Sequence, residues 1–69
     1  MIDYKLAARN QATVRLSDGS TVELRLNPAG QNGWIVDVIY AYDLHDDCIV
    51  WDINGTPLGH EDRIVEIIS

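Results

Sequence analysis

Sixty-nine residues with a formal net charge of −6 and a single cysteine exclude a second domain and an internal disulfide. A chain of this length buries only about 60% of the surface its unfolded form exposes, so one domain, residues 1–69, is expected, with self-association as the natural extra source of stability. Met1 is followed by Asp3 and Lys5 rather than by a secretory leader, no apolar run reaches the length of a membrane span, and the lone Cys48 fits a reducing compartment, so a soluble, cytoplasmic protein is expected.

Residues 2–8, Ile-Asp-Tyr-Lys-Leu-Ala-Ala, alternate: Ile2, Tyr4, Leu6 and Ala8 fall on one side. Period two favours a strand. A short helix capped by Asp3 is the alternative, because Lys, Leu and Ala are good helix formers.

Residues 11–16 and 20–26 form a first hairpin around Ser-Asp-Gly-Ser. A two-residue Asp-Gly turn sets Val14 and Leu16 on the opposite face from Val22, Leu24 and Leu26. Such a slip exposes a whole apolar set. A three-residue loop, Ser17-Asp18-Gly19, repairs it. Leu16 then faces Ser20, Val14 faces Val22 and Ala12 faces Leu24, with Gly19 in the left-handed position of a bulged turn. Residues 27–33, Asn-Pro-Ala-Gly-Gln-Asn-Gly, are breakers and read as a loop.

The centre of the chain is a long strand, 34–44, and its return, 48–53. Trp34, Val36, Val38, Tyr40, Tyr42 and Leu44 share one face of the first; Ile35, Asp37, Ile39, Ala41 and Asp43 share the other. A three-residue loop sets Asp52 beside Tyr40 and mixes apolar and acidic sets. A four-residue loop, Leu44-His45-Asp46-Asp47, instead pairs Asp43 with Cys48, Tyr42 with Ile49, Tyr40 with Trp51 and Val38 with Ile53. The aromatic residues then point inward. The outer face carries Asp37, Asp43 and Asp52 among Ile35, Ile39 and Val50, too apolar for a plain solvent face. Residues 54–62 turn the chain through Asn54-Gly55, Pro57 and Gly59, with Leu58 as a plug for the core. Residues 63–68, Arg-Ile-Val-Glu-Ile-Ile, make a last strand whose two apolar faces invite pairing with another chain.

Short strands separated by turn signals point to an all-β chain, a small five- to six-stranded antiparallel barrel. The order is a first hairpin, a long third strand, a tight return and a short turn into a last strand. In that order residues 11–68 resemble the SH3-like and Sm-like small barrels. The resemblance implies a fold and carries no functional residue, because the glycine and Asp/Asn pattern that Sm-type proteins use for RNA does not map onto this chain. Fold alone does not imply function.

Two triplets, His45-Asp46-Asp47 and His60-Glu61-Asp62, suggest metal chemistry by residue type. They flank strand 48–53, which at about 3.3 Å per residue holds them on the order of 20 Å apart. Each reads as a surface turn, and no metal or cofactor is expected. Cys48 near His45 lacks what activates a thiol, since neighbouring aspartates raise its pKa. No catalytic residue is assigned.

Charge completes the reading. Residues 1–33 carry four cations against three anions, and residues 34–69 one against eight. An acidic half repels phosphate backbones and suits a basic protein partner. The expectation is a small non-enzymatic protein-binding module of the phage or mobile-element inhibitor type, presenting nucleic-acid-like negative charge. Its candidate contact residues are Asp37, Asp43, Asp46, Asp47, Asp52, Ile39 and Val50. The alternative is an oligomeric Sm-like structural or nucleic-acid-binding barrel, joined through strand 63–68, with Arg9, Arg15 and Arg25 as its basic patch.

Overall fold

A computed structural model describes residues 2–69. The first element is a helix, α1 (Tyr4–Arg9), not the expected strand. Asp3 stands in extended backbone and accepts a hydrogen bond from the Leu6 N–H at 3.0 Å, which satisfies an orphan donor of the first turn. Ala7 and Ala8 are buried while Leu6 is exposed. The alternation of Ile2, Tyr4, Leu6 and Ala8 therefore does not describe the buried face. Gln11, at φ 55°, turns the chain out of the helix.

The first hairpin has the expected register. β1 (Thr13–Leu16) pairs with β2 (Thr21–Glu23), Val14 opposite Val22. Gly19 sits at φ 91°, a conformation that costs an L-residue steric strain. At Leu24 the chain leaves β2 and enters β3 (Arg25–Asn27). Leu24 is fully buried and donates its N–H to Ala12 O at 2.9 Å. β4 (Val38–Tyr42), β5 (Cys48–Asp52), β6 (Pro57–Leu58) and β7 (Ile64–Ile67) follow.

Among the described residues, seven strands form two antiparallel sheets, in the orders β2-β1-β7 and β3-β4-β5-β6. The regular structure of the described residues is mostly strand, with one short helix, as an all-β reading requires. The sheets do not close into a barrel, and the strands exceed five or six, because the stretch 21–27 is divided at Leu24 and Pro57–Leu58 adds a short edge strand. Between the sheets lie Val14, Leu16, Leu24, Ile39, Ala41, Trp51 and Ile64, closed on one side by Ala7 and Ala8. Trp51 is fully buried, and its indole N–H donates to Asp62 O at 2.7 Å. A buried indole N–H without such a partner would cost stability.

The central strand departs most from expectation. β4 has five residues, and Trp34–Asp37 belong to the loop before it. Its partners on β5 are Tyr42–Cys48, Ala41–Ile49, Tyr40–Val50, Ile39–Trp51 and Val38–Asp52. Neither register expected from the sequence forms: the loop is Leu44-His45-Asp46, closed by the Asp43–Asp47 pair, so the strands are shifted one residue from the four-residue alternative and Asp52 stands opposite Val38, not Tyr40. Ile39 and Ala41 thus face the core, and Tyr40 and Tyr42 face outward. The turn explains the register. The Asp43 N–H donates to Asp47 O, the Asp46 N–H donates to Asp43 O, and Asp46 takes φ 61°. Asp43 Oδ1 accepts from the N–H groups of His45 and Asp47 at 2.8 and 3.0 Å. The β5–β6 turn repeats this bond for bond, with Asp52 in place of Asp43 and Gly55 in place of Asp46. Leu16-Ser-Asp-Gly-Ser20 has the same backbone pattern.

Leu58 is exposed and does not plug the core. β7 lies at a free sheet edge with Val65, Ile67 and Ile68 exposed. No helix among the described residues is long and apolar enough to cross a membrane.

Candidate functional site

Residues directly opposite one another in an antiparallel pair point to the same side. The outer face of the second sheet therefore carries Tyr42 beside Cys48, then the row Arg25, Tyr40, Val50 and Leu58, then Asn27, Val38 and Asp52. Loop residues Asn32 and Trp34 close over one end. The result is an open groove of about 260 Å³, walled by Trp34, Tyr40, Tyr42, Val38, Val50 and Cys48, with Asn27 and Asn32 at its margin. Tyr42 is 54% and Trp34 38% exposed. The Tyr40 and Tyr42 rings meet edge to face, centroids 5.9 Å apart at 89°.

Local bonds hold the loop 28–37 in place. Buried Asn27 donates from Nδ2 to Gln31 O at 3.2 Å and accepts at Oδ1 from Asn32 Nδ2 at 2.6 Å. Asp37 Oδ1 accepts from the Ala29 N–H at 2.6 Å, and its Oδ2 meets Lys5 Nζ at 2.9 Å. Asp37 thus ties the loop to α1.

The seven expected contact residues do not form one face. Asp37 and Asp52 lie at the Val38 end of β4, and Asp43, Asp46 and Asp47 at the Tyr42 end. Ile39 is fully buried and cannot contribute to a surface. Val50 is partly buried on the groove wall. Asp43 and Asp52 spend their carboxylates on their own turns. Asp46 and Asp47 are exposed and enter no ion pair among the described residues. Trp34, Tyr40 and Tyr42, expected inside, are the residues the sequence reading missed. The repeated spacing Asp43-x-x-Asp46 and Asp52-x-x-Gly55 was the available signal, since it marks both turns as three-residue loops.

The histidines play different parts. His45 is exposed on the turn. His60 accepts at Nδ1 from the Asp62 N–H at 3.1 Å. That leaves Nε2 to donate to Val50 O at 2.8 Å, with the ring standing edge-on to Trp51 at 5.2 Å. Both His60 nitrogens are engaged in packing β5 against the turn that precedes β7. Among the described residues no three His, Cys, Asp or Glu side chains converge as metal ligands. Of the arginines, Arg15 pairs with Glu66 at 2.7 Å, while Arg9 and Arg25 line a separate cleft with Gln11 on the far side of Tyr40.

The Lys5 ammonium, and after it the Ala29 N–H, hold the Asp37 carboxyl below its ordinary pKa of 3.8. The Ser20 hydroxyl and N–H do the same for Asp18. A folded pKa below the unfolded one adds stability that is present above the unfolded pKa. It is lost as pH falls through the folded value. Acid titration of the folded protein should therefore show a loss of stability beginning below about pH 4. In Asp37→Asn the acid limb should be shallower; an unchanged limb would show that the Lys5–Asp37 contact contributes nothing.

Comparison with family models, curated proteins and solved structures finds no match to this chain.

Proposed function

We propose that the chain is a non-enzymatic binding module that docks a basic segment of a protein partner on the outer face of the β3-β4-β5-β6 sheet. One observation carries this reading: an exposed aromatic groove whose Tyr42–Cys48 end runs directly into the acidic turn Asp43–Asp47. An apolar floor contributes affinity, and the flanking negative charge selects a cationic partner and speeds encounter. The aspartates stand at two ends of β4 rather than in a row, so groove and turn together support the reading better than charge mimicry alone. The sheets stay open, and only element order supports a likeness to the small barrels: a first hairpin, a stretch 21–27 that serves both sheets, and a last strand that returns to β1.

The test is fluorescence anisotropy with a labelled arginine- and lysine-rich peptide. Affinity should fall by about tenfold or more between low and high salt, as screening removes the charge term. Asp46→Asn with Asp47→Lys, which keeps a residue that tolerates φ 61° at position 46, should abolish binding, while the thermal midpoint stays near that of the parent. An affinity indifferent to salt and to this double substitution overturns the reading.

A further inference from the structure

We infer that the groove beside Tyr42 receives the cationic side chain of such a segment, a guanidinium or an ammonium group, alkylated or not. This rests on the binding reading above and names the chemistry recognised at that site.

Three aromatic rings surround the groove. Tyr40 and Tyr42 meet edge to face and both line the groove, and Trp34 supplies a third ring. The face of an aromatic ring attracts a cation placed within about 6 Å of its centroid, Trp most strongly. The side chains lining the groove include no charged group. None of the molecule's own cations lines the groove. Lys5 is paired with Asp37 and Arg15 with Glu66. Arg25, although opposite Tyr40 on β3, lines the neighbouring cleft with Arg9.

The surroundings add direction. The turn Asp43–Asp47 springs from Tyr42 and returns at Cys48, and Asp52 shares the face opposite Val38. These carboxylates set a negative potential over rings that are themselves neutral, a combination suited to a cation and unsuited to a phosphate or carboxylate. At the margin, Asn32 Nδ2 donates to Asn27 Oδ1 and Asn27 Nδ2 donates to Gln31 O. A volume of about 260 Å³ is below the roughly 300–1,000 Å³ of sites for drug-sized ligands. It suits one long side chain entering from a peptide.

The experiment is a nitrogen-15 correlation titration of the full chain with blocked single amino acids: N-acetyl-arginine amide and N-acetyl-trimethyllysine amide, against their neutral counterparts from citrulline and norleucine. Adenosine and uridine form a separate arm. The cationic ligands should shift the Trp34 indole and the Tyr42 and Cys48 amides, and should bind about two- to fivefold more tightly than the neutral ones. They should also slow alkylation of Cys48, the only thiol. Trp34→Leu and Tyr42→Leu should each weaken binding about two- to fivefold, and Tyr42→Phe should keep it, because the π face survives.

Equal binding of arginine and citrulline ligands overturns the inference. So does tighter binding of a nucleoside, or indifference to Tyr42→Leu. If the inference fails while the labelled basic peptide still binds with salt dependence, only the groove assignment falls. If the peptide also fails to bind, both fall.

Discussion

Trp51→Ala is expected to leave the chain without a cooperative fold at room temperature. Trp51 is fully buried between the sheets, directly across from Ile39. Large-to-alanine truncation of a buried aromatic residue costs about 3–5 kcal/mol. The loss also strands Asp62 O, which accepts the indole N–H at 2.7 Å, and removes the edge contact of His60. Domains of this size sit near the bottom of the roughly 5–15 kcal/mol range of folding stabilities, so one truncation consumes most of the total. Urea titration followed by far-ultraviolet circular dichroism reads the effect. Trp51→Phe keeps a ring but not the donor, and should cost about 1–3 kcal/mol for the unmet acceptor and the smaller volume. A Trp51→Ala protein within about 1 kcal/mol of the parent would be incompatible with this core.

The second large effect is expected at Gly55. Its φ is 82°, and a Cβ built there would stand 2.7–2.9 Å from three atoms of the Tyr4 ring. Gly55→Ala therefore adds two penalties: left-handed backbone strain of about 1–2 kcal/mol and overpacking of about 1–3 kcal/mol. Gly19 is the control. At φ 91° it shares the strain, but a Cβ there meets nothing within 4 Å, so Gly19→Ala should cost only about 1–2 kcal/mol. Pairing Gly55→Ala with Tyr4→Ala separates the penalties, because the double variant relieves the clash but not the strain. Equal destabilisation by Gly19→Ala and Gly55→Ala, with no coupling to Tyr4, would contradict the packing of α1 on the β5–β6 turn.

What was legible in the sequence depended on how openly each turn declares itself. Around Gly19 the left-handed residue is a glycine, and Val14, Leu16, Val22 and Leu24 have no apolar competitors on the other face. One register satisfied both signals, and the hairpin forms that way. At Asp43–Asp47 the left-handed residue is Asp46, which a reader takes for surface charge although Asp tolerates that conformation. Both faces of β4 are apolar, Ile39 and Ala41 against Val38, Tyr40 and Tyr42, so periodicity alone did not select the inner one. The wrong choice buried the tyrosines and exposed Ile39. The candidate groove was hidden by that inversion rather than by any lack of residues to form it. At the start of the chain, a six-residue helix is too short for its period to outweigh chance alternation. Its cap, Asp3, and the helix-forming Lys5, Leu6, Ala7 and Ala8 announced it.

The passage through Leu24 has a consequence for how the domain comes apart. One peptide stretch, 21–27, supplies an edge strand to each sheet, and the residue between them is sealed in the core and bonded back to Ala12. Pulling β2 away from β1 therefore drags β3 from β4. Amide exchange at this seam is therefore expected to require opening of both sheets together, and the domain to melt in a single transition. The groove-bearing sheet is thus joined to the other sheet through one buried residue, Leu24.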